Sequence, residues 1–223
     1  MADFKEQRLN MVESQVRPSD VTDRRIVRAM GDVAREHYVP AARRSTAYMD
    51  EAVSIGPVAG GRESRQLLAP RTFEKLLHLA EIGDNAAVLA IGSGTGYSLA
   101  VMARIARRVF GVETDQGLVS HAKAALIEDG VKNAEVIHGP LSDGHAPGGP
   151  YDAILVEGAV QDIPRGLLDQ LKDGGRLVAI VADGPAGKAV VWKRSGKTFA
   201  ARDAFDVTAS ALPGFQRKAA FVL

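Results

Sequence analysis

The chain has 223 residues, 28 Lys and Arg against 27 Asp and Glu for a formal net charge of +1, and no cysteine. That length suits one α/β unit with a buried core and is short for two. Near-neutrality disfavours a general binder of nucleic acid or membrane surface, and zero cysteine removes disulfides, thiolate metal sites, iron–sulfur clusters and cysteine nucleophiles together.

The opening residues Met1 to Arg8 are too polar for a signal peptide, and no apolar run approaches the roughly 18 residues of a spanning helix. The expectation is a soluble, cytoplasmic chain. Leu9, Met11, Val12 and Val16 form an apolar stripe before Pro18. Cap-forming side chains from Ser19 to Asp23 precede a second helix carrying Ile26, Val27, Met30 and Val33. The charges around it, Arg24, Arg25, Arg28 and Arg35, read as a solvated face. Residues 55–70 read as a loop, punctuated by Gly56, Pro57, Gly60 and Gly61. Pro70 suits the first turn of a helix holding Phe73, Leu76, Leu77 and Ala80, closed by Gly83-Asp84.

From here strand and helix alternate. Strands are expected at 87–91, 108–112, 134–137, 151–156 and 176–181, with helices at 97–107, 115–129 and 163–171 and a turn at Gly174-Gly175. This order predicts an α/β fold, a doubly wound and mostly parallel sheet. Residues 189–194 and 198–200 around Ser195-Gly196 read as a C-terminal antiparallel hairpin. Ala219 to Leu223 read as a last strand.

The stretch Val88-Leu89-Ala90-Ile91-Gly92-Ser93-Gly94-Thr95-Gly96-Tyr97 leaves a strand and enters a helix. Glycines there permit a sharp turn and the close approach of a ligand, and a helix N-terminus adds N–H donors. Glu113 ends the next strand, near the spacing at which a carboxylate meets ribose hydroxyls. The G-x-G-x-G pattern differs from the dinucleotide G-x-G-x-x-G, whose third position falls on Tyr97. The tighter pattern resembles the nucleoside loop of S-adenosylmethionine-dependent methyltransferases. His37, His78, His121, His138 and His145 lack metal-ligand spacing, so no metal is expected. Trp192 reads as packing, and Glu157 stands at a strand end where doubly wound sheets place ligands.

Several segments together resemble the protein-L-isoaspartate O-methyltransferase family. Arg35-Glu36-His37-Tyr38-Val39-Pro40 is similar to its "PRExFVP", and residues 88–97 to its "VLEIGTGSGY". Tyr151 to Val156 are similar to "FDAIIV". Ile163-Pro164, with Leu167, Leu168, Gln170, Leu171, Gly174 and Gly175, is similar to "IPxxLLxQLKxGGxLV". The resemblance covers residues 8 to about 183. It implies a class I methyltransferase fold with N-terminal helices to residue 50, a cofactor-binding core over 51–183 and the hairpin over 184–223, as one domain. The activity implied is methyl transfer from S-adenosyl-L-methionine to the carboxylate of L-isoaspartyl residues in damaged proteins or peptides. Such a reaction uses an acceptor already ionised at neutral pH, so the protein orients the reactants and excludes water. The implied partners are isoaspartyl peptides or proteins, not nucleic acid or membrane, with the enzyme a monomer.

Cofactor contacts are expected from Gly92, Ser93, Gly94, Thr95, Gly96, Glu113 and Leu141, and from Glu157 by its place at a strand end, where a solvated strand end is the alternative. Three segments depart from the family pattern. Its acid before the glycines is Ala90 here. Its "GQTISQP", anchored on Pro70, puts Gln66 at the Thr and Leu68 at the Ser, after a longer loop in which Ser64 offers a replacement hydroxyl. Ser64 and Gln66 are therefore the catalytic-side candidates. Its "GDG" becomes Gly139 to Gly144, with Asp143 as the available acid. The alternative reading is a methyltransferase-fold paralogue with another acceptor, or a binding module without catalysis. A nicotinamide oxidoreductase is disfavoured by the glycine spacing.

Overall fold

A computed structural model describes residues 3–19, 21–57, 64–184 and 186–217. Asp3 caps α1 (Phe4–Met11) by accepting a hydrogen bond from Glu6 N, and a π-helical turn over 12–16 continues it. Asp23 caps α2 (Arg24–Asp32) in the same way. Two 3₁₀ segments, Arg35–Tyr38 and Ala41–Thr46, lead into β1 (Val53–Pro57) and β2 (Ser64–Leu67).

These two strands correct the expected loop over 55–70. Val53, Ile55, Arg65 and Leu67 turn inward while Ser54 and Gln66 are only half-buried, so the pattern is that of a two-stranded antiparallel sheet. The register slips between Ser54 and Gly56, leaving Ile55 as the extra residue of a bulge. Glycine and proline at 56 and 57 hide the strand from a reading based on turn residues.

α3 (Pro70–Ala80) begins on Pro70 as expected and stops earlier than Gly83-Asp84, at Glu81, which takes the left-handed conformation. The central elements follow: β3 (Ala87–Ile91), α4 (Tyr97–Met102), β4 (Arg108–Glu113), α5 (Gln116–Glu128), β5 (Ala134–His138), β6 (Tyr151–Val160), α6 (Arg165–Leu168) and β7 (Leu171–Ala182). α4 is shorter than the expected 97–107. Asn133 Nδ2 donates to the carbonyls of Ala103 and Ala106, and Arg107 N to Ala86 O, which draws the chain out of the helix and into β4. α6 covers only part of 163–171, because Leu171 already pairs with Tyr151 as β7 begins. The turn expected at Gly174-Gly175 is a bulge inside β7, opposite the step from Tyr151 to Ala153.

β8 (Gly187–Ser195) and β9 (Thr198–Val207) form the expected hairpin, and it is continuous with the main sheet. The seven strands run in the order β5-β4-β3-β6-β7-β8-β9. β5, β4, β3, β6 and β7 are parallel, and β8 and β9 continue the sheet antiparallel, with β9 at the edge. The strand read at 219–223 lies outside the described residues.

β3 is buried on both faces, as a central parallel strand should be. Val88 and Ala90 face a core shared with α2, α3, α4 and α5. Ala87, Leu89 and Ile91 face a second core with α6, Leu141, Leu212 and Phe215. Trp192 is partly buried against that second core, in keeping with a packing role. Strand order reverses between β3 and β6, so the carboxyl ends of these two strands flank the switch point.

Arg35, expected on a solvated face, is instead buried and ties the N-terminal segment to this frame. Its guanidinium is fully buried, donates from Nε to Ala47 O and from Nη2 to Leu68 O, and lies over the Tyr97 ring at 4.8 Å. Arg35→Ala strips two buried carbonyls of their donor and leaves a cavity. It should destabilise the fold by about 3 kcal/mol or more. Urea unfolding followed by circular dichroism measures this, and a loss below about 1 kcal/mol would contradict the bracing role.

Candidate active site

The site is built where β3 ends. Gly92 and Gly94 adopt φ of 76° and 54°, which side chains disfavour, and the chain reverses there to enter α4. Tyr97, the first residue of α4, is locked between Tyr38, Phe73 and Arg35. Gly96 serves packing: a Cβ there would stand 3.1 Å from Ala122 Cβ on α5. Thr95 Oγ1 donates to Tyr38 O at 2.5 Å, and Ser93 Oγ is buried beside Gly111.

Four amides of this turn are already used, whereas no partner is seen among the described residues for Thr95 N or for the first-turn amides of α4. Gly92 N and Ser93 N share Val112 O, Gly96 N donates to Ser93 O, and Gly94 N donates to Glu113 Oε2 at 2.9 Å. Glu113 itself is fully buried. Its Oε1 accepts from Thr114 N at 2.8 Å and Asp115 N at 3.2 Å. Its Oε2 also accepts from Arg65 Nη2 at 2.7 Å, a pair buried on both sides. The same Nη2 donates to Gly92 O at 2.9 Å.

Arg65 was not among the residues expected from the sequence. It reaches Glu113 from β2, 48 positions away in sequence. Neighbouring side chains fill the space over the glycines. A Cβ on Gly94 would stand 2.6 Å from Ile55 Cδ1, and one on Gly92 would meet Leu212 at 3.0 Å and Arg65 Nη2 at 3.2 Å. Open volume remains to one side, in a cleft of about 380 Å³ lined by Pro40, Ile55, Thr95, Asp115, Leu118 and His121.

Gln66 is not brought to the glycines. Strand alternation turns it away from Arg65 into a separate cleft with Arg43, Thr46 and Glu51. This corrects its expected catalytic position. The side chain of Ser64 lies outside the described residues. Leu68 is buried, and its carbonyl serves Arg35.

On the other side of the switch point, β6 bulges between Leu155 and Ala159. The bulge holds Glu157 and Gly158. A Cβ on Gly158 would stand 2.7 Å from Leu212 Cγ. Leu212 is fixed by main-chain bonds, Ala159 N to Ser210 O and Leu212 N to Ala159 O. Leu141 is buried in the core that contains Leu212 and Phe215, whereas Asp143 is exposed and accepts from Ser142 Oγ. Ala90 faces the helix-side core, so no carboxylate enters the site from β3. Among the described residues no cluster of His, Asp and Glu could hold a metal, and no helix is long and apolar enough to cross a membrane.

Comparison with known proteins decides the family. The model for protein-L-isoaspartate(D-aspartate) O-methyltransferases matches residues 6–208. The chain belongs to this family. A protein-L-isoaspartate O-methyltransferase of Herpetosiphon aurantiacus is 34% identical over 196 residues, 88% of this chain and 85% of that protein. One from Methanoculleus marisnigri is 37% identical over 175 residues, covering 78% and 77%. Among solved structures, a protein-L-isoaspartate O-methyltransferase matches with a TM-score of 0.83 at 23% identity, over 93% of this chain and 66% of that one. A Plasmodium falciparum protein described as a putative member, in complex with S-adenosyl-L-homocysteine, matches with a TM-score of 0.74 at 20% identity, over 91% and 96%. These structural likenesses give the fold, and the family match gives an enzyme of the isoaspartyl methyltransferase type.

The residues suit the family's nucleoside cofactor in chemistry: three glycines at positive φ and a buried acid stand together. They enclose little free space for it in this arrangement, because Arg65, Ile55 and Leu212 occupy the cradle.

Burial pushes the Glu157 carboxyl up to about 8; the Ser98 hydroxyl and Arg65 offset part of this, and Glu113 adds to it. Its Oε1 has no hydrogen-bond partner among the described residues. The same carboxyl titrates near 4.5 when unfolded. Between those values the folded state holds the extra proton, so stability declines as pH rises, by at most about 1.4 kcal/mol per pH unit. Glu74, pushed up to about 7 by burial, contributes in the same direction. Glu157→Gln should lose its share of the slope. Urea unfolding of both proteins at about pH 5.5 and 7.5 measures the difference, and equal slopes would contradict a buried protonated Glu157.

Proposed function

We propose that the chain transfers a methyl group from S-adenosyl-L-methionine to the carboxylate of L-isoaspartyl residues in damaged proteins or peptides. The observation that carries this reading is the family match over residues 6–208, together with the meeting of Gly92, Gly94 and Glu113 at the switch point of the sheet. The same reading makes isoaspartyl peptides the partner and the enzyme a cytoplasmic monomer.

When bound, the cofactor supplies a methyl group activated on a sulfonium. The residues of this chain bind and orient. Glu113 is the acceptor for ribose hydroxyls, its carboxylate aimed by the amides of Gly94, Thr114 and Asp115. The absence of side chains at Gly92 and Gly94 lets a ligand approach the backbone. Ser93, Thr95 and Gly96 shape that turn from behind, through the contacts to Gly111, Tyr38 and Ala122. Leu141 supplies apolar wall from the second core, and Glu157 borders the site from β6. The acceptor carboxylate is already ionised at neutral pH, so no general base is required. Ser64 remains the candidate hydroxyl on the acceptor side.

Transfer of labelled methyl to an isoaspartyl peptide, measured beside its aspartyl twin, tests the activity. Labelling of the isoaspartyl peptide alone is expected, and equal or absent labelling of the two would refute the acceptor. Glu113→Gln should weaken S-adenosyl-L-homocysteine binding by about 1–3 kcal/mol, read by calorimetry. An unchanged dissociation constant would remove Glu113 from the binding site.

A further inference from the structure

The cradle described above is filled by the chain itself, and the filling is specific. Each oxygen of Glu113 already accepts two hydrogen bonds. Three of the four donors are main-chain amides of the turn and of the β4–α5 connection, which cannot leave without unfolding the site. The fourth is the Arg65 guanidinium, carried on β2. A ligand hydroxyl that needs Glu113 can therefore gain it only at the expense of Arg65.

We propose that Arg65 is an internal competitor for the cofactor, and that β1 and β2 form a self-occluding arm whose withdrawal is coupled to nucleoside binding. This inference rests on the cofactor proposed above. Two further contacts support it. Ile55, on the strand paired with β2, covers Gly94, so the arm blocks the turn at two points. Strand alternation puts Ile55 and Arg65 on the same buried face, with Val53 and Leu67. Leu212, held by its main-chain bonds to Ala159, covers Gly92 and Gly158 from the opposite side. Once Glu113 is claimed by a ligand, keeping Arg65 buried without its carboxylate is strongly disfavoured. Displacement of the side chain then moves β2, and Ile55 follows because the two strands are paired.

The arm uses charge to close the site. Arg65 and Glu113 neutralise each other at 3% and 0% exposure, which keeps the closed form free of a buried net charge. Arg65→Gln removes the charge and ends two bonds short of the guanidinium nitrogen that reaches Glu113, so the competing donor is lost.

The test is calorimetric titration of the full chain with S-adenosyl-L-homocysteine, wild type against Arg65→Gln. The variant is expected to bind at least tenfold tighter. Wild-type and variant affinities within threefold of each other, or a weaker variant, overturn the occlusion and leave the proposed function standing. No binding by either protein overturns both. A second measurement needs no variant: modification of Arg65 in the wild type by an arginine-directed dicarbonyl, mapped by peptide mass. Arg65 should be protected in the free protein and become reactive at saturating S-adenosyl-L-homocysteine. Protection that is unchanged or increased by the ligand overturns the withdrawal of the arm.

Discussion

The Glu113 carboxylate is the junction on which the site depends. A carboxylate with no solvent contact is tolerated only when its oxygens are hydrogen-bonded and its charge is answered. Here the answers come from three separate pieces of chain. Gly94 N pins the turn after β3, Thr114 N and Asp115 N set the departure of the chain into α5, and Arg65 tethers β2. One side chain thus sets the relative position of the glycine turn, the start of a helix and a two-stranded sheet far away in sequence.

The tether is itself positioned by a second buried cation. Arg35 holds Leu68 O, the carbonyl directly after β2, and also Ala47 O, while it lies over Tyr97 at the start of α4. The placement of Arg65 is therefore referred to the same helix that the glycine turn opens. Around it, Tyr48 donates to Glu36 and Tyr38 donates to Asp129, and burial raises both phenols well above their usual range. The segment over 35–40 is a bracket between the N-terminal helices, the arm and the sheet, which accounts for its polar residues being buried.

The parallel core was legible because its strands are short, apolar on both faces and separated by helical spacing. Those features are local. β8 and β9 were legible for a similar reason, a two-residue connection at Gly196-Lys197 between apolar runs. The arm was hidden, because Gly56 and Pro57 at its end carry turn signals stronger than the alternation of Val53 and Ile55. Arg65 and Leu212 were hidden for a different reason. Nothing within a few residues of either marks a contact with Glu113 or Gly92, since both contacts are made by folding. Gln66 was misread because a motif gives position along the chain, whereas the side-chain face depends on strand register. A one-residue difference there exchanges Gln66 for Arg65 at the glycines.

Charge accounting then links Ala90 to the arm. The family's acid before the glycines would add a second anion beside Glu113, but Ala90 is an apolar wall of the helix-side core. Glu157 does not replace that anion near neutral pH, because burial keeps its carboxyl protonated up to about 8. Among the described residues, the ion pair at the glycine turn is one anion, Glu113, and one cation, Arg65. Withdrawal of Arg65 leaves Glu113 as a buried, unanswered negative charge. On the proposed withdrawal, ribose hydroxyls of a bound nucleoside would take the place of the guanidinium at Glu113. The absence of an acid at position 90 and the presence of a cation at 65 thus act on the same quantity, the charge held beside Glu113 at the dry end of the sheet.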